Sequence, residues 1–417
     1  VRRMKEFVKT SVVWGPLDHN LFFTIIFLNV YGIIMVYSAS YNNSITKNYS
    51  YFMNNQLKNV IFGFVIMIVA SYVNYHRIVR LGWGWFWLLA AVAIIAALKT
   101  PLAHSELGAT RWIKLGPVSF QAAEPIKAAI IIFFAYYVSY WGLNRWYNQL
   151  LACLLAIALL GFLFFFSNNL STVIVLFCIC AVIILSSVKK PDLYWYFLLG
   201  LALIIIAAIF VTVYLLMHQG AENFRFVRIR AWLHPEEYAA DEGLQAMQAR
   251  YAIGAGGFWG KGLGQSLIKF KLSYSYNDFI LAIICEELGV FGVIVMMTLF
   301  GYLLYRIYKI AQNAWDIEGK VLAIGVFTQI ALQLLINVMV VTSVIPTTGV
   351  TLPFFSAGGT SVVFLLAELG MVLNVDKYAK ERRFFEEAER HVAQMEQRGG
   401  IGVAGWRRRL DSARTRR

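Results

Sequence analysis

Apolar runs long enough to span a bilayer core, about 20 residues each, recur along this chain with short polar segments between them. Ten such runs fall at roughly 20–40, 57–75, 81–99, 123–141, 148–166, 169–188, 193–217, 278–308, 319–344 and 350–375. The pattern predicts an all-α polytopic membrane protein with ten transmembrane helices. Residues 218–277, between the seventh and eighth helices, form by far the longest connection. A connection of that length is usually functional or disordered. This one mixes aromatic, glycine and charged residues, which argues against disorder. The expected organisation is a cytoplasmic segment at 1–17, a membrane domain at 18–375 and a basic cytoplasmic tail at 376–417. The first part of that tail, "DKYAKERRFFEEAERHVAQMEQ", reads as a charged helix running out of the last span.

Charge sets the orientation. Arg77, Arg80, Arg145, Lys189, Lys190, Arg306, Lys309 and Lys320 fall on one side if the spans alternate, together with the basic N-terminal segment and tail. Basic residues stay cytoplasmic, so both termini are expected in the cytoplasm. The long connection and residues 100–122 then face outward.

Composition agrees with this picture. The chain of 417 residues is 59% hydrophobic and 14% charged, and it carries a net charge of +14. Its mean hydropathy is +0.62. The positive charge follows from topology. No folded basic domain suggests nucleic-acid binding. The basic start runs into a full span, so a cleavable signal peptide is not expected. Cys153, Cys178, Cys180 and Cys285 all sit inside apolar runs, where thiols serve as packing residues. No disulfide framework or metal pair is implied.

One stretch breaks the pattern. "VIPTTGVTLPFFSAGGTS", Val344 to Ser361, interrupts two oily flanks with prolines, glycines and hydroxyls. Irregular backbone in a membrane needs surrounding protein or a water-filled cavity. A cavity at the outer membrane edge is therefore expected here.

Several residues could carry chemistry at such a cavity. Glycines at 254, 256, 257, 260, 262 and 264 do not make a Walker loop, because Ala255 and Gly262 stand at key positions. With Lys261, Lys269 and Lys271 they suit either a diphosphate or a plain basic surface loop. Asp278 opens the eighth span, as a helix cap or as a site carboxylate. Glu286 and Glu287 lie deeper in the same span, where acids face cavities or partners. One of them could share the cavity of Asp278. Glu124 and Lys127 form a helical i,i+3 pair at the start of the fourth span. Arg111 and Trp112 sit at interfacial depth. Gln329, Gln333, Asn337, Glu368 and Asn374 are explained by interhelical hydrogen bonds alone. These features suit an amphipathic anionic substrate, and leave open whether it is moved or chemically changed.

"GATRWIKLGPVSFQAAEPIK", "AIGAGGFWGKGLGQSLIK", "NDFILAIICEELGVFG" and "VIPTTGVTLPFFSAGGTS" occur in that order. Together they resemble the bacterial SEDS family (FtsW, RodA, SpoVE) over about residues 18–375. The resemblance implies a peptidoglycan glycosyltransferase in the bacterial cytoplasmic membrane. It would polymerise lipid II at the outer face, for division, elongation or sporulation. Asp278 matches the family's essential aspartate. It would act as general base, or hold a divalent cation (Mg or Mn) against the departing diphosphate. Arg111 and Trp112 match an "RW" motif, Glu124 and Lys127 a "QPSE..K" motif, and Lys269 a basic position. Lys261 stands among the expected substrate contacts, and Thr348 and Ser356 would offer hydroxyls at the cavity mouth. A class B penicillin-binding protein, a transpeptidase, is the implied partner. Departures include "QAAE" for "QPSE", "SYS" at 273–275 before the aspartate, Asn277, Asn168–Asn169 and Thr360–Ser361. A lipid II flippase or a non-catalytic scaffold for the transpeptidase is the alternative.

Overall fold

The structure is a computed structural model that describes residues 16–40, 51–101, 103–106, 109–115, 118–167, 170–188, 224–237, 242–270, 276–357 and 359–397. The expected seventh span, 193–217, lies outside the described residues, as do 1–15 and 398–417 of the terminal segments.

Helices dominate. In chain order they are α1 (His19–Ser40), α2 (Tyr51–Tyr72), α3 (Tyr75–Val79), α4 (Trp85–Ala97), α5 (Ala123–Trp141), α6 (Trp146–Ser167) and α7 (Leu170–Ser187). There follow α8 (Phe224–Leu233), α9 (Glu242–Gly256), α10 (Ile280–Asn313), α11 (Ile317–Val341) and α12 (Ser361–Gln397). Six of them, α1, α2, α6, α7, α10 and α11, are long and apolar enough to cross a membrane. Their outer faces leave Phe27, Phe62, Phe165 and Ile294 exposed. Such faces match hydrocarbon rather than water, and the chain is a multi-pass membrane protein.

The structure corrects two expectations. It is not all-α: β1 (Ala103–Glu106), β2 (Ala109–Leu115) and β3 (Val118–Gln121) form a three-stranded antiparallel sheet. Thr110, Trp112 and Ile113 on β2 are β-branched or aromatic, residue types that suit a pleated strand. The last span does not begin at 350. Val350 to Ala357, Gly359 and Thr360 stay non-helical and α12 starts at Ser361, because Pro353 cannot continue a helical hydrogen-bond ladder. The long connection contains α8 and α9. The charged continuation of the last span is helical as expected, to Gln397.

α12 packs along α2 at small residues. A Cβ on Gly370 would meet the Met67 carbonyl at 2.5 Å, and one on Gly63 would meet Leu366 at 2.6 Å. Close backbone approach of this kind replaces the hydrophobic drive that lipid does not supply. At one end of the bundle a polar network ties α3 and α5 to α11. Asp316 accepts from the Tyr75 hydroxyl (2.7 Å) and from the Gly319 N–H (2.7 Å), and it lies 2.6 Å from His76 Nε2. Arg80 donates twice to Glu318, and Ser139 donates to the same oxygen. Burial raises the Asp316 carboxyl, but the His76, Gly319 and Tyr75 bonds hold it below its ordinary value. All four cysteines are free.

Candidate active site

The site is built where α5 begins. Glu124 and Lys127 are both buried and pair at 2.8 Å. One turn of helix brings them to the same face. They line a cavity of about 360 Å³, counting its part open to solvent, with Gln121 of β3, Gln333 of α11 and Gly349 to Thr351 of the break. The sequence put these residues on separate segments; the fold brings them into one wall.

The break itself is held by side chains. Trp232 Nε1 of α8 donates to the Ser343 carbonyl at 2.9 Å. Ser171 of α7 donates to Thr348 O at 3.1 Å, and Asn337 of α11 donates to Val350 O at 2.9 Å. These bonds satisfy carbonyls that a helix would have paired internally. Two non-glycine residues, Ser343 (φ 58°) and Phe354 (φ 66°), adopt left-handed backbone here. Such strain persists only where surrounding structure fixes it. A Cβ on Gly32 of α1 would meet the Phe354 carbonyl at 2.3 Å, so only glycine lets α1 reach this turn.

Asp278 sits half-buried in the turn before α10. Three consecutive carbonyls of that turn are tied down. Ala357 N–H donates to Tyr276 O (2.9 Å), Ser356 Oγ to Asn277 O (2.8 Å) and Asn337 Nδ2 to Asp278 O (2.9 Å). The same Asn337 amide reaches Val350 on the cavity wall. One side chain thus fixes the distance between the aspartate and the cavity. Phe279, rather than Asp278, is the N-cap residue of α10, and it makes no side-chain cap bond.

The other expected contacts separate. Trp112 is half-buried on β2, directly across from Gln121. Arg111 lies beside it on β2, with its side chain outside the described set. Thr348 Oγ1 is buried without a hydrogen-bond partner among the described residues. The Ser356 hydroxyl is used twice, accepting from Leu352 N–H at 2.8 Å and donating to Asn277. It is a backbone staple, so the hydroxyl expected at the mouth is already committed.

The glycine-rich stretch has a structural task. α10 breaks at Gly289 (φ 64°, ψ −164°). There Lys261 N–H donates to Glu286 O and Gly262 N–H to Glu287 O, both at 2.9 Å. In return Val290 and Phe291 N–H donate to Gly257 O and Phe258 O. A Cβ on Gly289 would lie 2.4 Å from Gly260 N. Both glutamates turn into this knot rather than toward Asp278. Glu286 pairs with Lys261 at 2.8 Å and accepts from the Ser266 hydroxyl. Glu287 accepts from Ser38 Oγ (2.5 Å) and pairs with Lys269 at 3.5 Å. Lys269 is buried, and its ammonium also donates to Gly264 O at 2.7 Å. The positive charge expected for a diphosphate is therefore largely matched within the protein at Lys261 and Lys269. The expectation that a glutamate shares the cavity of Asp278 is likewise overturned.

Sequence reasoning missed Asn337 as the tie between aspartate and cavity. The signal was present: an amide deep in an apolar helix needs partners that hydrocarbon cannot give. It also missed the roles of Trp232 and Ser171, which no local pattern marks.

A model of a family of cell cycle proteins (FtsW, RodA, SpoVE) matches residues 18–381. The chain is 31% identical over 382 residues to a probable peptidoglycan glycosyltransferase FtsW of Trichlorobacter lovleyi, covering 89% of this chain and 96% of that one. It is 33% identical over 370 residues to the stage V sporulation protein E of Bacillus subtilis, covering 86% and 96%. Among solved structures it resembles a chain from a peptidoglycan synthase complex that coordinates polymerization and crosslinking. That likeness has a TM-score of 0.73 at 22% identity, over 88% of this chain and 99% of the other. The rod-shape-determining protein RodA of Thermus thermophilus aligns with a TM-score of 0.62 at 22% identity, over 87% and 98%.

Proposed function

The chain belongs to the FtsW, RodA and SpoVE family of cell cycle proteins, and we propose that it polymerises lipid II into glycan strands at the outer face of the bacterial cytoplasmic membrane. It is a peptidoglycan glycosyltransferase of ten spans, with both termini cytoplasmic. The observation that supports this most is the joint held by Asn337. It links a half-buried aspartate to a cavity walled by an ion pair and broken backbone.

The reaction forms a glycosidic bond between a sugar hydroxyl and an anomeric carbon. The bond from that carbon to the diphosphate oxygen breaks, and lipid-linked diphosphate departs. Asp278 takes the proton of the attacking hydroxyl. Its backbone ties fix where the residue sits relative to the cavity, which supplies orientation before chemistry. Lys127 and the Thr348 hydroxyl, which has no partner among the described residues, meet the anionic end of the substrate. Glu124 holds Lys127 at the cavity wall. Trp112 and Arg111 on β2 flank the sugar. Lys261 and Lys269 act one step removed, by fixing the loop that borders the Asp278 turn.

Among the described residues, no three His, Cys, Asp or Glu side chains gather to hold a metal ion. Asp278 would bind Mg or Mn jointly with diphosphate oxygens and water, the usual way Mg is held in phosphate sites. When bound, such an ion would offset charge on the leaving group. The partner is a class B penicillin-binding protein, packed on exposed spans and the long outward connection.

The test is polymerisation of labelled lipid II by purified protein, with and without divalent cation and transpeptidase. Wild type gives glycan ladders and Asp278→Ala gives none. Absence of product from wild type with its partner, alongside lipid II translocation in vesicles, would support a flippase instead. Full activity in Asp278→Ala would remove the aspartate from the chemistry.

A further inference from the structure

Beneath the cavity lies a carboxyl group that the reaction above does not use. Glu368 of α12 is 1% exposed and Gln329 of α11 is fully buried. Gln329 Nε2 donates to Glu368 Oε2 at 2.8 Å. Two acceptors are then left over: Glu368 Oε1 and Gln329 Oε1 both lack a partner among the described residues. Inside a bilayer each such orphan is costly.

The imbalance has a direction. Two acceptor atoms are left with no partner among the described residues, while the amide nitrogen already has one. An ionised carboxylate offers four lone-pair sites and no proton, so it leaves Glu368 Oε1 and Gln329 Oε1 with no donor between them. A carboxylic acid brings one O–H. Its Oε2 already accepts from the Gln329 amide, and a proton on Oε1 supplies the donor that the amide oxygen lacks. One proton removes both orphans.

The charged groups that act on Glu368 are Lys127 and Glu124, both on α5. Gln329 on α11 is neutral. On α2, which packs along α12, residues 59–71 carry no titratable side chain. On α10, Glu286 and Glu287 are held by the glycine-rich loop. Among the described residues Lys127 is the cation that acts on Glu368, and it is already paired with Glu124 at the cavity wall. A second carboxylate within reach would compete for it.

We propose that Glu368 is a neutral acid closed in a two-bond ring with Gln329, and that it positions Lys127 by leaving that cation to Glu124 and the cavity. It is a positioning residue with no contact to the reacting atoms. The consequence for catalysis rests on the polymerase reading; the state of the acid does not.

Infrared difference spectra of the purified protein in bilayers, wild type minus Glu368→Gln at neutral pH, test the acid directly. A carboxylic C=O band in wild type, shifted in Gln329→Leu, is expected. Ionised-carboxylate bands in its place would overturn the proposal. In the polymerisation assay, Glu368→Leu should lose about tenfold, the order set by leaving a buried polar partner unpaired. Glu368→Gln rebuilds the ring amide to amide and should recover most of that loss. Equal losses in the two variants would overturn the positioning role. If wild type makes no polymer at all, the polymerase reading fails while the infrared result still decides the acid.

Discussion

Two interruptions of helix sit near each other in this protein and are resolved in opposite ways. At Gly289 the chain breaks and closes: four loop-to-helix backbone bonds and two glutamates leave the polar groups matched inside protein. At 343–360 the chain breaks and stays open. Side chains from three helices satisfy carbonyls there, but a cavity remains and Thr348 keeps a buried hydroxyl without a partner among the described residues. Lysines beside glycines thus mark a structural knot, while the segment without charge borders the site. What distinguishes a binding region from a folding device is polar capacity left over after folding.

That contrast can be broken most severely at Glu286. Glu286→Ala strands Lys261 and three loop donors that it now satisfies. Removing one partner of a buried pair costs about 3–5 kcal/mol; Lys261 is partly exposed, so the low end is expected. Thermal melting in detergent should show a large drop, with activity lost in proportion to unfolding. A melting point within error of wild type would deny the loop its structural role.

Next come the two hydroxyls of the open break. Ser356→Ala strips a partner from Leu352 N–H and releases the Asn277 carbonyl. It should destabilise by about 1–3 kcal/mol, as for an unsatisfied buried donor. Thr348→Ala removes a hydroxyl with no partner and should change stability by no more than about 0.5 kcal/mol. Its effect belongs in the polymerisation rate, through weaker substrate binding. If Thr348→Ala destabilised more than Ser356→Ala, the sorting of spent from open groups would be wrong.

The smallest effect lies away from both breaks. The Asp316 carboxyl is held below its ordinary value in the fold, so it binds protons less readily there than in the unfolded chain. Its stabilisation is complete above the unfolded value, near about 3.9, and is lost as pH falls through the folded value. Melting of wild type should decline below about pH 4–5, and Asp316→Asn should flatten that decline. An unchanged acid limb in the variant would remove the network from the account.

Much of this was legible in the sequence. The long apolar runs gave the membrane class, because burying backbone in hydrocarbon leaves few choices but helices. "VIPTTGVTLPFFSAGGTS" announced its own irregularity, since proline and glycine act locally. The pairing of Glu124 with Lys127 followed from helical spacing. What failed was long-range. Nothing near Lys269 in sequence indicates Glu287 or the Gly264 carbonyl as its partners, and a basic loop looks the same whether its charge is open or already matched. The three strands escaped notice because short strands among long oily helices carry a weak local signal. Ser356 and Thr348 looked alike as hydroxyls; only the fold assigns one to backbone and leaves the other unused.

The most direct test of which break holds substrate is photo-crosslinking of a lipid-diphosphate probe, mapped to residues by mass spectrometry. The account predicts label on Lys127, Gln333 and residues 348–351, competed away by unlabelled lipid II. Label concentrated on Lys261, Lys269 and the glycines between 254 and 264, with the cavity wall untouched, would contradict it.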